Sequence, residues 1–380
     1  MIKDQKELTE VELEIGTAVL YPIIFDDRLE ILLHKQDKII RKTVNRTHHP
    51  DFNLNKTVEQ FLYELTQRRN YESDDFLLYA TKLYDWLIRP FKEDKDTQTN
   101  HLKEINTLVF VPDGRLREIP LGALQDGKNY LITQYAIAMV PGLTLREITA
   151  NPQQKRRSIL LVGLDLPETI WIQGHELNAL DTTEEISNIK ASIRQTYGKP
   201  VELLNDKFTG SHLKTELTQT AYSNVHISSH VVVEADIKNS FILVAGNKPD
   251  LSLEHFEDLL LLNRTHASSL NLITLSACET ALGDDRAALG LGGIALRAGA
   301  QSAVASLWKA DAWFATQFMP LFYEKISQGL PKAQALQQAQ VEIINKASIK
   351  CPVCDHPYFC LYINWKLALK LGRYGLVKPA

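Results

Sequence analysis

From Ser158 onward the chain alternates short apolar runs with amphipathic stretches, and this rhythm limits its possible folds more than any other feature. The runs are Ser158 to Leu164, Val201 to Leu204, Tyr222 to Ser229, Ser240 to Val244, Asn271 to Ala277 and Gln301 to Leu307. A parallel strand buried on both faces reads as such a continuous run. Between and after them, Glu176 to Ser192, Ser211 to Thr220, Phe256 to Leu262, Ala287 to Ala298, Ala310 to Lys325 and Lys332 to Lys346 carry helical spacing. Strand–helix–strand repetition implies right-handed crossovers. The expected fold class is therefore α/β, a mainly parallel sheet flanked by helices.

Two of the runs end on residues that carry chemistry. Asn271-Leu272-Ile273-Thr274-Leu275-Ser276-Ala277 leads into Cys278, and Val225-His226-Ile227-Ser228-Ser229 leads into His230. Open α/β sheets place reactive groups at the carboxyl ends of their strands. If the two strands are neighbours, a thiol and a base meet at one sheet edge. That is the requirement for a cysteine nucleophile, because a free thiol (pKa ~8.5) is mostly protonated at neutral pH. The competing reading is a buried, inert cysteine at a strand end. His226 lies inside its strand and reads as a packed or hydrogen-bonded histidine.

The first 150 residues have a different texture. Thr17 to Phe25, Leu29 to His34 and Lys38 to Val44 suggest a small antiparallel meander. Thr57 to Gln67 and Phe76 to Ile88 have helical spacing, and Pro90 stops the second helix. Leu108 to Val111 and Tyr130 to Val140 look like strands, the first ended by the turn Pro112-Asp113-Gly114. The polar stretch Asn151 to Arg157 has no periodicity. The expected organisation is an N-terminal α/β subdomain over 1–150, a main domain over 151–348 and a tail segment over 349–380.

Composition excludes several function classes. Lys+Arg 42 against Asp+Glu 46 gives a net charge of -4, with no basic excess for nucleic acid or anionic lipid. No apolar run approaches the ~20 residues of a membrane helix. Met1 to Glu14 is charged and has no apolar core of a signal peptide, which points to the cytoplasm. The four cysteines do not make a disulfide framework. Cys351, Cys354, His356 and Cys360 have the look of a zinc knuckle, but four ligands within ten residues is tight for one tetrahedral ion, so reduced thiols are expected there. Gly290, Gly292 and Gly293 lack the preceding strand of a nucleotide-binding loop and read as close helix packing. No metal or cofactor is expected.

Several motifs in order carry a family resemblance. They are Leu108 to Gly114 with Leu116, Ile119-Pro120 and Ala123-Leu124; Val225 to His230; Leu275 to Thr280 with Gly283; Gly299 to Trp308; and Ala333, Ala335-Leu336 and Ala339-Gln340. Together they resemble the CHAT-domain family of caspase-like cysteine peptidases, related to caspases and separase, from the first strand to about Lys346. The resemblance implies a caspase-like sheet and an endopeptidase acting on a protein substrate. It implies Cys278 as nucleophile and His230 as general base. The backbone N–H groups of Cys278 and Val231 are then the candidate oxyanion donors. It also implies a separate activator or regulatory protein.

Three further features bear on that activity. Val231 stands where the family usually has glycine, and a β-branched residue disfavours φ > 0. This substitution motivates a second reading, a weak or inactive caspase-like scaffold that binds partners. Asp165, after the run ending at Leu164, stands where caspase-like folds place the charged residue of the specificity pocket. A carboxylate there would favour a substrate Arg or Lys before the scissile bond, against the simpler reading of a loop aspartate. Asp236, after His230, is the alternative carboxylate.

Overall fold

The computed structural model describes residues 13–36, 38–47, 49–66, 75–94, 96–140, 158–193, 196–234, 236–263, 270–276, 279–280, 294–306, 312–347 and 367–371. They divide into two units.

In the first unit, β1 (Thr17–Ile24), β2 (Arg28–Lys35) and β3 (Lys38–Asn45) form the expected antiparallel meander. Helices α1 (Leu54–Thr66) and α2 (Asp75–Leu87) follow, and the second buries Phe76, Ala80, Leu83, Tyr84, Trp86 and Leu87. Strands β4 (Thr107–Phe110) and β5 (Ala136–Met139) complete the order β3-β2-β1-β4-β5, with β1, β4 and β5 parallel. The strand expected from Tyr130 is shorter than its pattern. Leu131–Gln134 turns as a helix first, because the Leu131 N–H donates to Leu124 O at 2.7 Å and the Thr133 hydroxyl to Tyr130 O at 2.7 Å. Such local bonds compete with a sheet ladder.

The second unit opens with β6 (Ile159–Gly163) and a hairpin of β7 (Ile170–Ile172) and β8 (His175–Leu177). The hairpin turns on Gln173 and Gly174, both at positive φ (50° and 82°), as a two-residue type I′ loop requires. Sequence periodicity runs the following helix back to Glu176, but α3 spans Thr183–Ile193. Next come β9 (Val201–Leu204), α4 (Gly210–Gln219), β10 (Asn224–Ser228), β11 (Val231–Val233), β12 (Phe241–Leu243) and β13 (Asp250–Ser252). The remainder is α5 (Leu253–Asn263), β14 (Leu272–Leu275), β15 (Glu279–Thr280), β16 (Ser302–Ser306), α6 (Ala312–Ser327), the first half of α7 (Lys332–Ala347, assigned to the first unit from Gln340 on) and β17 (Leu367–Leu371).

Five of these strands are parallel, in the order β16-β14-β10-β6-β9, and β17 joins β16 antiparallel. Every residue of β6, β10 and β14 is buried. Leu213, Leu217, Phe256 and Leu260 from α4 and α5 pack in one core with Leu160, Val225 and Ile273. Helices α3 and α6 pack against each other, with Ile186, Ile189, Phe318 and Phe322 buried. Each such side chain contributes about 1.5–3 kcal/mol on removal from water, which is why the apolar runs settle in the centre. A second, four-stranded sheet has the order β13-β12-β11-β15. Among the described residues no helix is long and apolar enough to cross a membrane.

Candidate active site

The central pair of strands is β10 and β14. They run parallel in direct register, with Val225 opposite Ile273 and Ile227 opposite Leu275, and the Ser276 N–H donates to Ile227 O at 2.9 Å. The sequence expectation that the histidine strand and the cysteine strand are neighbours is met. Beyond Ser228 the chain leaves this sheet, passes through Ser229 and His230, and enters the second sheet as β11.

His230 sits at that crossing and is 7% exposed. Its backbone is fixed from β12: the Leu243 N–H donates to His230 O at 2.8 Å, and the Ser229 hydroxyl donates to Leu243 O at 2.7 Å. Its ring Nε2 lies 2.8 Å from the carbonyl oxygen of Asn178. A carbonyl only accepts, so Nε2 carries the proton and Nδ1 is the basic nitrogen of the neutral ring. Asn178 follows the β7–β8 hairpin, whose Leu177 is fully buried in a small cluster with Val232, Phe241 and Leu243. His175 Nε2 lies 2.9 Å from Glu234 Oε1. Asn178 escaped the sequence reading because a backbone carbonyl leaves no residue-type signal.

Cys278 lies outside the described residues, as do the zinc-knuckle residues Cys351 to Cys360, the glycines at 290, 292 and 293, and Trp308. Ser276 and Glu279, on either side of position 278, are described. Ser276 before it is bonded to Ile227, and Glu279 after it pairs in parallel with Val232. Both contacts are to the segment that bears His230.

Val231 begins β11 with its side chain 1% exposed among Ile242, Leu251 and other core residues. It is absent from the non-glycine residues at positive φ. The feared left-handed backbone is therefore not required here, and an extended β-branched residue suits the position. Because His230 and Leu243 form the bonded pair with β12, strand alternation turns the Val231 N–H the other way, toward β15.

Asp165 is heavily engaged. Its carboxylate accepts from Thr182 N and Oγ1 at 2.7 and 2.9 Å, from Thr183 N and Oγ1 at 3.2 and 2.7 Å, and from Asn205 Nδ2 at 2.9 Å. Burial pushes its pKa up, but the bonds from Asn205, Thr182 and Thr183 outweigh that and hold it at about 2. Five donors saturate the roughly four lone-pair directions of a carboxylate. They place it at the N-terminus of α3, where an anion also meets the positive end of the helix dipole. Asp236 is exposed and accepts from the Lys238 N–H at 3.1 Å.

Beneath the strand ends lies a buried polar network with no counterpart in the sequence reading. Glu185, in the first turn of α3, accepts from the Ser228 hydroxyl at 2.7 Å and from the Ser276 hydroxyl. His226 is fully buried, with Nε2 3.0 Å from Glu185 Oε1 but off the line of a good hydrogen bond. Tyr323 Oη lies 3.3 Å from His226 Nδ1 and donates to Thr274 Oγ1 at 3.0 Å. Burial pushes the Tyr323 phenol well above its usual pKa, so it stays protonated. Among the described residues no group of three or more His, Cys, Asp and Glu is arranged to hold a metal.

The family model described as the CHAT domain matches residues 77–363. Among solved structures, the Saccharomyces cerevisiae separase in its securin complex is similar, at 11% identity and a TM-score of 0.55. The match covers 97% of this chain and 30% of the separase chain. The Arg-specific cysteine proteinase gingipain R also matches, at 10% identity and TM-score 0.44, over 88% of this chain and 77% of that one. A complex of Porphyromonas gingivalis RgpB pro- and mature domains matches at 10% identity and TM-score 0.45, over 86% and 78%. No curated protein sequence matches this chain. With the family model covering most of its length and a separase sharing its architecture, this chain belongs to the CHAT-domain family and has a caspase-like fold.

Proposed function

We propose that this chain is a cytoplasmic cysteine endopeptidase that cleaves protein substrates through Cys278 and His230. The observation that carries the reading is His230 itself. It stands past the tip of a central parallel strand, its ring oriented by Asn178 O, beside the strand that runs on to Cys278. In the reaction, Cys278 Sγ attacks the scissile carbonyl carbon while His230 Nδ1 takes the thiol proton. The oxyanion is met by the N–H groups of Val231 and Cys278. His230 then gives the proton to the departing amine as the C–N bond breaks. Water, deprotonated by the same ring, cleaves the thioester and regenerates the thiol.

Preference for a basic residue before the scissile bond is the specificity we propose, with Asp165 or Asp236 as the carboxylate. The saturated bonding of Asp165 favours Asp236, which is exposed in the loop after His230. By analogy with a separase held in complex with securin, a separate regulatory protein governs the activity. The test is cleavage of a peptide library by wild type, Cys278→Ala, His230→Ala, Asp165→Asn and Asp236→Ala. Cleavage after Arg or Lys that both dyad variants lose supports the proposal. Wild-type protein that cleaves nothing, with or without added regulator, leaves the binding scaffold as the reading.

A further inference from the structure

The Cys–His reaction gives no task to Glu185, whose carboxyl group is buried beneath the strand ends. Its side chain is 3% exposed. A carboxylate in such a place costs free energy unless it is well bonded, and the partners it has are informative. Ser228, on Oε2, is the last residue of β10 and stands two positions before His230. Ser276, on Oε1, follows β14 and stands two positions before Cys278. The main-chain ladder between the strands ends here, since the bond from Ser276 N to Ile227 O is followed by departure of both chains toward the second sheet. Between that bond and the next main-chain pairing, of Val232 with Glu279, the two tips share a side-chain tie. One carboxylate from α3 holds both.

We propose that Glu185 is a positioning residue that clamps the ends of β10 and β14 at one spacing, so that the imidazole and the thiol carried two residues further on meet in attack geometry. The inference rests on the Cys278–His230 reading. Tyr323, which donates to Thr274, lies behind His226, and His226 lies against Oε1 of the same carboxyl group. Glutamine at 185 keeps the size but replaces one acceptor oxygen by a donor, so the two serine hydroxyls can no longer be gripped alike.

The experiment measures alkylation of Cys278 by iodoacetamide against pH, read by mass spectrometry, with the other three cysteines as internal controls. The sulfur–carbon bond forms, iodide leaves and the thiol proton passes to base. In wild type Cys278 should react faster than the controls, with its midpoint below that of a free thiol. His230→Ala and Glu185→Gln should each slow it on the order of tenfold to a hundredfold at neutral pH and move the midpoint toward ~8.5, leaving the control cysteines unchanged. Ser228→Ala and Ser276→Ala should give partial effects that combine less than additively, because they share one carboxylate. A folded Glu185→Gln with the wild-type rate and profile overturns the inference, and the dyad stands if His230→Ala still slows the reaction. If neither variant changes it, the Cys–His reading falls and takes this inference with it. Should Glu185→Gln fail to fold, the serine variants decide, and unchanged profiles in both overturn the proposal.

Discussion

The carbonyl oxygen of Asn178 accepts the Nε2–H of His230 at 2.8 Å, across 52 residues of chain. A main-chain acceptor cannot be removed by substitution, but its support can. Leu177, one residue earlier, is fully buried between the hairpin and Val232, Phe241 and Leu243. Leu177→Ala should cost about 2–3 kcal/mol in urea unfolding and lower kcat with little change in KM, since the ring loses its orientation. Wild-type kcat in the folded variant would separate the hairpin from the histidine.

Glycine at 231 can be judged by packing. Val231 is extended and buried, so Val231→Gly loses its side-chain burial and adds backbone freedom to the unfolded chain. The expected loss is about 2–4 kcal/mol, with no gain in hydrolysis per folded molecule. A large gain in hydrolysis would show that the valine obstructs substrate.

Acid should weaken the fold through two carboxylates. Asp165 is held at about 2 against its burial by bonds from Asn205, Thr182 and Thr183. Glu30 is lowered to about 2, first by the bond from Arg41, against burial, with Thr43 and Arg28 adding to it. Both folded values lie below the unfolded ones near ~4. Their stabilisation is therefore complete above pH ~4 and is lost as the pH falls from there toward ~2. Asp165→Asn should flatten part of that decline in a pH series of unfolding midpoints, and should cost about 1–3 kcal/mol at neutral pH, because one acceptor oxygen becomes a donor facing the donors of Thr183 and Asn205.

Lys332, at the start of α7, gives the opposite slope. Burial lowers its pKa to about 8, and its Nζ donates to Ser302 Oγ at 2.9 Å. A cation with a folded pKa below the unfolded ~10.4 costs stability in full below pH ~8, a cost relieved as the pH rises through that window. Lys332→Met should abolish this rise in unfolding free energy between pH ~8 and ~10. A wild-type curve that stays flat there would show the ammonium to be solvated.

The amino-acid sequence by itself determined the α/β class, the parallel rhythm and the identity of the two strands that lead to His230 and to Cys278. Buried strands need unbroken apolar residues, and that demand is written along the chain one residue after another. It also determined the N-terminal meander, where alternation and turn residues act locally. Only the tertiary structure decided what surrounds those strand ends. The helix expected from Glu176 begins at Thr183, because Gln173-Gly174 closes a hairpin and Asp165 receives Thr182 and Thr183. The Val231 backbone is extended because β12 pairs with it. Asn178 meets His230 across 52 positions, and Glu185 meets Ser276 across 91. Contacts between residues so far apart depend on how layers stack, and no spacing along the chain encodes them.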